Sequence, residues 1–241
     1  MIQGIIFDMD GVLIDSHRVH RRAWRRFLAT LGKEVTDHEL EFILEGRRRE
    51  EILQYFLGAL SPATIAEYGR QKARLFDESF EEIKLVPGVR DFLDAIKNSN
   101  LKIAIATSAS SSRTWGTLRR LKLDERFAAV VTGDDVAAGK PDPAVYRLAS
   151  GLMSVLPAEL VALEDATCGV QAARSAGMRC IGVGSNGRAV ELQEAGAAAV
   201  IPDFVGLSLE NLFRFCSGTP AGAISHSSAK SGIDAGTAGR A

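Results

Sequence analysis

Residues 5 to 16 read Ile-Ile-Phe-Asp-Met-Asp-Gly-Val-Leu-Ile-Asp-Ser, and they constrain the chain more than any other stretch. An apolar run ends in Asp8 and Asp10, one residue apart, followed at once by Gly11. A short, unbroken apolar run reads as a strand buried on both faces of a parallel sheet. Two carboxylates at its end repel each other, and neither belongs beside a core without a cation. The stretch therefore reads as a metal-assisted nucleophile site. The rest of the chain has to supply the partners.

Residues 2 to 8 form that strand. From 17 to 31 the pattern switches to helical period, with Val19, Ala23, Phe27 and Leu31 on one face and Trp24 and Leu28 beside them. Arg18, Arg22, Arg25 and Arg26 mostly take the remaining, polar side. Further helices are expected at 37 to 45, through Ile52, Leu53, Phe56 and Leu57, and from Ser61-Pro62, which supply an N-cap and a first helical position. No convincing strand occurs between 17 and 86, so this stretch reads as an all-helical insertion. Pro87-Gly88 marks the return, and Val89, Phe92, Leu93 and Ile96 have the spacing of a helix. From there strands at 101–107, 128–132, 160–164, 179–183 and 198–201 alternate with helices at 113–122, 142–153, 168–176, 187–195 and 206–215. The alternation predicts an α/β fold, a Rossmann-like parallel sheet with helices on both faces. The expected division is a core of 1–16 and 87–216, a helical cap domain of 17–86, and a tail of 217–241 whose Ser, Gly, Ala and Thr content reads as disordered.

The charge balance excludes some classes of function. A net charge of −1 argues against a general nucleic-acid binder. Cys168, Cys180 and Cys216 have no repeated spacing, which fits neither a disulfide framework nor a zinc site and suits a reducing compartment. Cys168 is expected to be packed and inert. The N-terminus enters a strand directly, and no apolar run approaches a membrane span. A cytoplasmic monomer with no membrane partner is the expectation.

In an open parallel sheet, ligands bind beyond the carboxyl ends of the strands. Four stations reach that edge: Asp8 with Asp10, Thr107-Ser108, the loop residue Lys140, and Glu164-Asp165. A carboxylate can act as nucleophile and carry a phosphoryl group. Mg²⁺ prefers hard oxygen ligands, and Asp8 and Asp165 could supply them. The ion would relieve the repulsion among Asp8, Glu164 and Asp165, with Lys140 opposite it. Thr107 can donate to phosphate oxygens, and Asp10 is free for proton transfer. A competing pattern, Gly182-Val-Gly184-Ser-Asn-Gly187, fits G-x-G-x-x-G. It follows the fifth strand rather than the first, and no acidic residue closes a neighbouring strand about 20 residues on, so dinucleotide binding is rejected.

Four segments carry a resemblance: 7 to 16, Ala-Thr-Ser at 106 to 108, Gly-Lys-Pro-Asp-Pro at 139 to 143, and Leu-Glu-Asp-Ala-x-x-Gly-Val-x-Ala-Ala at 163 to 173. Together, in this order, the chain resembles the haloacid dehalogenase superfamily phosphotransferases with a helical cap, in the beta-phosphoglucomutase-like branch, over residues 1 to 215. The resemblance implies Asp8 as nucleophile and Asp10 as general acid/base. It implies Mg²⁺ held by the Asp8 carboxylate, the Asp10 main-chain carbonyl and Asp165, with Glu164 supporting directly or through water. Thr107, Ser108 and Lys140 would bind the transferring phosphate, and His20, Arg49 and Lys72 of the cap would meet the substrate. The mutases carry a Ser-Lys-Asn loop for a distal phosphate. Here the loop reads Ser108-Ala-Ser-Ser-Ser-Arg113, with Arg113 as the available substitute. The expectation is therefore a Mg²⁺-dependent phosphatase acting on a small phosphorylated metabolite, a sugar phosphate above all, through an aspartyl-phosphate. The alternatives are a beta-phosphoglucomutase and a non-catalytic ligand-binding member of the family.

Overall fold

Gly4–Phe7 forms strand β1, with all four residues buried. Its side chains alternate between two apolar layers, Ile5 and Phe7 in one and Ile6 in the other. The same alternation recurs in β4 (Lys102–Ala106) and β6 (Leu160–Glu164). Ile103, Ile105, Val161 and Leu163 face the first layer, and the smaller Ala104, Ala106 and Ala162 face the second. The computed structural model describes residues 1–184 and 187–216. The expected tail at 217–241 and the middle of the 182–187 pattern lie outside the described residues.

Among the described residues the main sheet has six strands, in the order β5-β4-β1-β6-β7-β8, where β5 is Ala129–Val131, β7 is Arg179–Val183 and β8 is Ala199–Ile201. Every pairing in it is parallel. The chain runs outward from β1 on both sides, so the strand order reverses there. That reversal opens the crevice in which α/β sheets hold ligands. Helices α5 (Val89–Lys97) and α10 (Leu209–Cys216) cover the first layer through Phe92, Leu93, Ile96, Leu212 and Phe215. Helices α7 (Ala144–Met153) and α8 (Thr167–Ser175) cover the second through Val145, Tyr146, Ala149, Val170 and Ala173. This is the α/β parallel-sheet architecture that the alternating pattern predicts.

Between β1 and β4 in sequence lies a helical insertion: α1 (His17–Thr30), α2 (Asp37–Glu41), α3 (Arg49–Leu57) and α4 (Pro62–Asp77). Local chemistry starts two of these helices. Thr36 and Glu39 form a capping box, and Ser61 accepts from the Thr64 amide with Pro62 next in line. Trp24, Phe27, Leu28, Leu40, Ile52, Leu53 and Phe56 build a separate apolar core. The arginines of α1 face outward, Arg22 to Glu82 and Arg25 to Asp37.

Two details depart from the sequence reading. A short strand, β3 (Lys84–Leu85), does occur before residue 86, paired antiparallel with β2 (Ile14–Asp15). Two residues are too few to show a period-2 pattern. This ribbon joins both ends of the insertion to the core. Helix α6 runs Ser111–Arg120, not 113–122, because Asp134 of the next loop accepts from the Ser111 amide and caps it from a distance.

Candidate active site

The carboxyl ends of β1, β4 and β6 bring the four stations together. Asp8, Glu164 and Asp165 offer carboxylate oxygens that all lie within 4.8 Å of one another, and all three are buried. Lys140 sits among them, 1% exposed. Its ammonium donates to Asp8 Oδ1 at 2.6 Å, Glu164 Oε1 at 2.5 Å and the Ala106 carbonyl at 3.0 Å. Burial alone would lower the Lys140 pKa, but Asp8 and Glu164 outweigh it and hold the lysine firmly charged. Burial pushes the Asp8 carboxyl well up against the pull of Lys140, and Glu164, Asp165 and Asp10 add to the push. One buried ammonium therefore does not balance the site.

Glu164 is saturated by protein donors. Its Oε1 also accepts from the Tyr146 hydroxyl at 2.7 Å, and Oε2 accepts from the amides of Asp165 and Ala166. Asp165 meets His17 Nε2 at 2.9 Å through Oδ2. Burial would lower the His17 pKa, yet Asp165 outweighs it and raises the value overall. The remaining donor set is all oxygen, buried and net negative. That is the chemistry a hard divalent cation needs, so Asp8 and Asp165 fit a metal ion with Glu164 behind them.

Two glycines admit this crowding. Gly11 has φ +77°, and a Cβ there would lie 2.0 Å from Asp165 Oδ2. Gly169, inside α8, approaches Glu164 so closely that a Cβ would lie 1.9 Å from Oε1. Ala is favoured over Gly in a helix by about 1 kcal/mol. We nevertheless expect Gly169→Ala to destabilise the protein, by about 1 to 3 kcal/mol in urea denaturation. The Glu164 carboxylate would have to leave Lys140 and Tyr146. An unchanged or raised midpoint would contradict this.

Asp10 stands apart from the cluster. Its Oδ1 accepts from Ser16 Oγ at 2.6 Å, from His20 Nε2 at 3.2 Å and from Arg113 Nη1 at 2.9 Å, while Oδ2 accepts from Arg113 Nη2 at 2.5 Å. Burial would raise its pKa, but Arg113 and His20 outweigh that and hold the carboxyl well below the usual range. His20 receives a bond from Lys72 Nζ at Nδ1, 2.9 Å long, and donates from Nε2. Burial and the Lys72 charge depress the His20 pKa to about 3, so the ring is neutral. Lys72 is itself buried, over the rings of Trp24 and Phe76.

Asp8, Asp10, Asp165, His17, His20, Lys72 and Arg113 line one cavity, with Thr107, Ser108, Arg47 and Arg49. Thr107 is buried at its floor. Ser108 Oγ donates to the Gly46 carbonyl at 2.6 Å, tying the core to the insertion. Arg49 pairs with Glu50 at the rim. Of the predicted site residues, only Lys140 and Glu164 do not line this cavity, and both adjoin Asp8. The sequence reading left out Ser16, His17 and Tyr146, and placed Arg113 on a distal phosphate rather than on Asp10. His17 had a usable signal, because it shares a helix face with His20 three residues on. Tyr146 had none, since its partner depends on how α7 packs. Cys168 is buried and burial raises its thiol pKa, which fits an unreactive side chain.

A sheet that reverses order at an Asp-x-Asp strand, with a lysine and a second carboxylate pair at the same edge, defines a class, and the comparisons agree with it. The model of the haloacid dehalogenase-like hydrolases matches residues 5–183, and the chain belongs to that family. It is 37% identical over 209 residues to the phosphorylated carbohydrates phosphatase of Thermotoga maritima, covering 83% of this chain and 94% of that protein. It is 34% identical to the beta-phosphoglucomutase of Bacillus subtilis, over 76% of this chain and 84% of that one. The crystal structure of CbbY from Rhodobacter sphaeroides in complex with phosphate superposes with a TM-score of 0.77 at 32% identity, covering 88% of this chain and all of that one. The family and these relatives make the chain an enzyme of the hydrolase class acting on phosphoric monoesters. No helix among the described residues is long and apolar enough to cross a membrane.

Proposed function

We propose that this protein is a Mg²⁺-dependent phosphatase that hydrolyses a small phosphorylated metabolite, a sugar phosphate, through an aspartyl-phosphate on Asp8. One observation carries the reading: a buried carboxylate trio with a lysine inside it, beside a second aspartate that is tethered separately. Asp8 attacks phosphorus, and the bond to the leaving alcohol oxygen breaks. Asp10, protonated once it leaves the pull of Arg113 and His20, gives that oxygen a proton, then takes one from the water that attacks the phosphoenzyme. Inorganic phosphate leaves and Asp8 is restored. Lys140, Thr107 and the backbone at Ser108 surround the transferring group. Asp8, the Asp10 carbonyl and Asp165 would hold Mg²⁺, with Glu164 in support. The ion, when bound, would neutralise charge on the transferring phosphate. The unit of 17–86 acts as the cap, hinged at the β2–β3 ribbon, and its side chains His20, Arg49 and Lys72 meet the alcohol portion and exclude water. The sugar-phosphate assignment is supported by the carbohydrate-phosphate phosphatase among the relatives.

A phosphate-release screen over sugar phosphates tests this. Activity is expected with Mg²⁺, falls to background in EDTA, and returns on adding Mg²⁺. Binding also shows without turnover: at 100 times its Kd the ion raises stability by about 2.7 kcal/mol. No Mg²⁺-dependent shift in the denaturation midpoint would contradict the proposed ligand set. Given beta-glucose 1-phosphate with catalytic glucose 1,6-bisphosphate, phosphate should be released. Fast conversion to glucose 6-phosphate with little free phosphate would make the protein a mutase instead.

A further inference from the structure

Glycine is the poorest helix former after proline, so a glycine inside an α-helix calls for a reason. Besides Gly169, the glycines inside the described α-helices are Gly69 in α4, Gly116 in α6 and Gly151 in α7. A Cβ built at Gly116 or Gly151 would meet nothing within 4 Å. At Gly69 it would lie 2.7 Å from Arg49 Cδ and Nε and 2.8 Å from Nη1. Gly69 is buried, and the guanidinium of Arg49 fills the place of its missing side chain.

Gly69, Arg49 and Lys72 all line the cavity, whose volume is about 110 Å³. Sites for small organic ligands are typically about 300 Å³ or more, so this one has no room to spare. Arg49 opens α3 and reaches across to α4. Its Nη2 donates to Glu50 Oε1 at 3.0 Å, and its Nε is buried with no hydrogen-bond partner among the described residues. One ion pair at the rim and the seat on Gly69 therefore hold the guanidinium. Lys72 lies three residues on, on the same helix face. Burial and the charge of Arg113 lower the Lys72 pKa against the pull of Asp10, and Arg49 adds to them, so the two cations already feel each other. A guanidinium pushed off Gly69 cannot slide freely along α4. It enters the cavity or leaves the wall.

We propose that Gly69 is a positioning residue: because it has no side chain, it seats Arg49 against α4 and keeps the cavity open to the alcohol portion of the substrate. The helix gives up some stability for the placement of a cation. Gly69 touches no reacting atom, so its effect belongs to substrate binding and not to the chemical step. This rests on the phosphatase reading above and adds a residue that sets how well the same site holds its substrate.

The test is a double-mutant cycle of Gly69→Ala and Arg49→Ala, read as phosphate release from beta-glucose 1-phosphate and from p-nitrophenyl phosphate. Gly69→Ala is expected to raise KM by about tenfold or more while kcat changes by less than about threefold. In the Arg49→Ala background, where the space stands empty, the same substitution should change KM by less than about twofold. The urea midpoint of Gly69→Ala should equal or exceed that of wild type, because alanine favours the helix and the crowded atoms are the tip of a long side chain that can swing away. Gly169→Ala differs, since the carboxylate it would meet is fixed by Lys140 and Tyr146. A purely structural role would act with or without Arg49. A KM unmoved by Gly69→Ala, or a rise that persists in the Arg49→Ala background, overturns the proposal. Where Gly69→Ala lowers the midpoint, adding Arg49→Ala should restore it, and no restoration overturns the proposal as well. The phosphatase reading is checked apart from this, by Asp8-dependent hydrolysis of p-nitrophenyl phosphate in a protein with Gly69 and Arg49 intact.

Discussion

Asp8→Asn should abolish phosphate release, by on the order of 10,000-fold or more, while leaving the fold intact. The amide cannot attack phosphorus, and no neighbour can replace it. Glu164 is held by Lys140, Tyr146 and two backbone amides, and Asp10 is turned to Arg113. The substitution removes one buried charge from a cluster that is already short of positive charge, so a structural penalty is not expected in the metal-free protein. Lys140 retains Glu164 and the Ala106 carbonyl. Circular dichroism and the urea midpoint should therefore match or exceed wild type while turnover disappears. Asp10→Ala makes the contrast. It should still form a phosphoenzyme from activated donors such as p-nitrophenyl phosphate, whose leaving group needs no proton, and release phosphate from it slowly. Retention of labelled phosphate on Asp10→Ala, and none on Asp8→Asn, would assign the two roles. Wild-type turnover in Asp8→Asn would remove the covalent mechanism.

The parts of this protein legible in sequence were those that local chemistry dictates. An unbroken apolar run has one use in an α/β chain, and five such runs between helical stretches leave little choice of sheet. The site was legible because its stations sit at strand ends, whose position the topology sets. What escaped is long-range side-chain geometry. Arg113 looked like a phosphate ligand because the loop placed a cation near the site. Its pairing with Asp10, 103 residues earlier, depends on how the first turn of α6 meets the loop after β1. Tyr146 donates to Glu164 only because the small residues Ala104, Ala106 and Ala162 belong to the layer against which α7 packs. The β2–β3 ribbon was invisible for a different reason, since two residues carry no period.

The largest effect on stability should come from Lys140→Met. Methionine keeps much of the apolar stem and removes the ammonium from a residue that is 1% exposed. Asp8 and Glu164 then face each other and Asp165 within 4.8 Å without the lysine between them. Breaking a buried ion pair from one side costs about 3 to 5 kcal/mol, because the remaining charge is left uncompensated. A loss of that size is expected in urea denaturation under EDTA. Two conditions should shrink it. Mg²⁺ would replace the missing positive charge between Asp8 and Asp165, so the variant should gain more stability from the ion than wild type does. Lower pH should act in the same direction. Burial already raises the Asp8 pKa against the pull of Lys140, and removing that pull raises it further. Below its folded value the native state then binds a proton that the unfolded state, titrating near the ordinary carboxylate range, has not yet taken up. Stability relative to wild type therefore rises as pH falls towards that range, and the deficit at pH 5.5 should be smaller than at pH 8. A deficit that is equal at both values, or one that Mg²⁺ does not reduce, would mean that Lys140 acts through packing rather than as the counter-charge of the carboxylate trio.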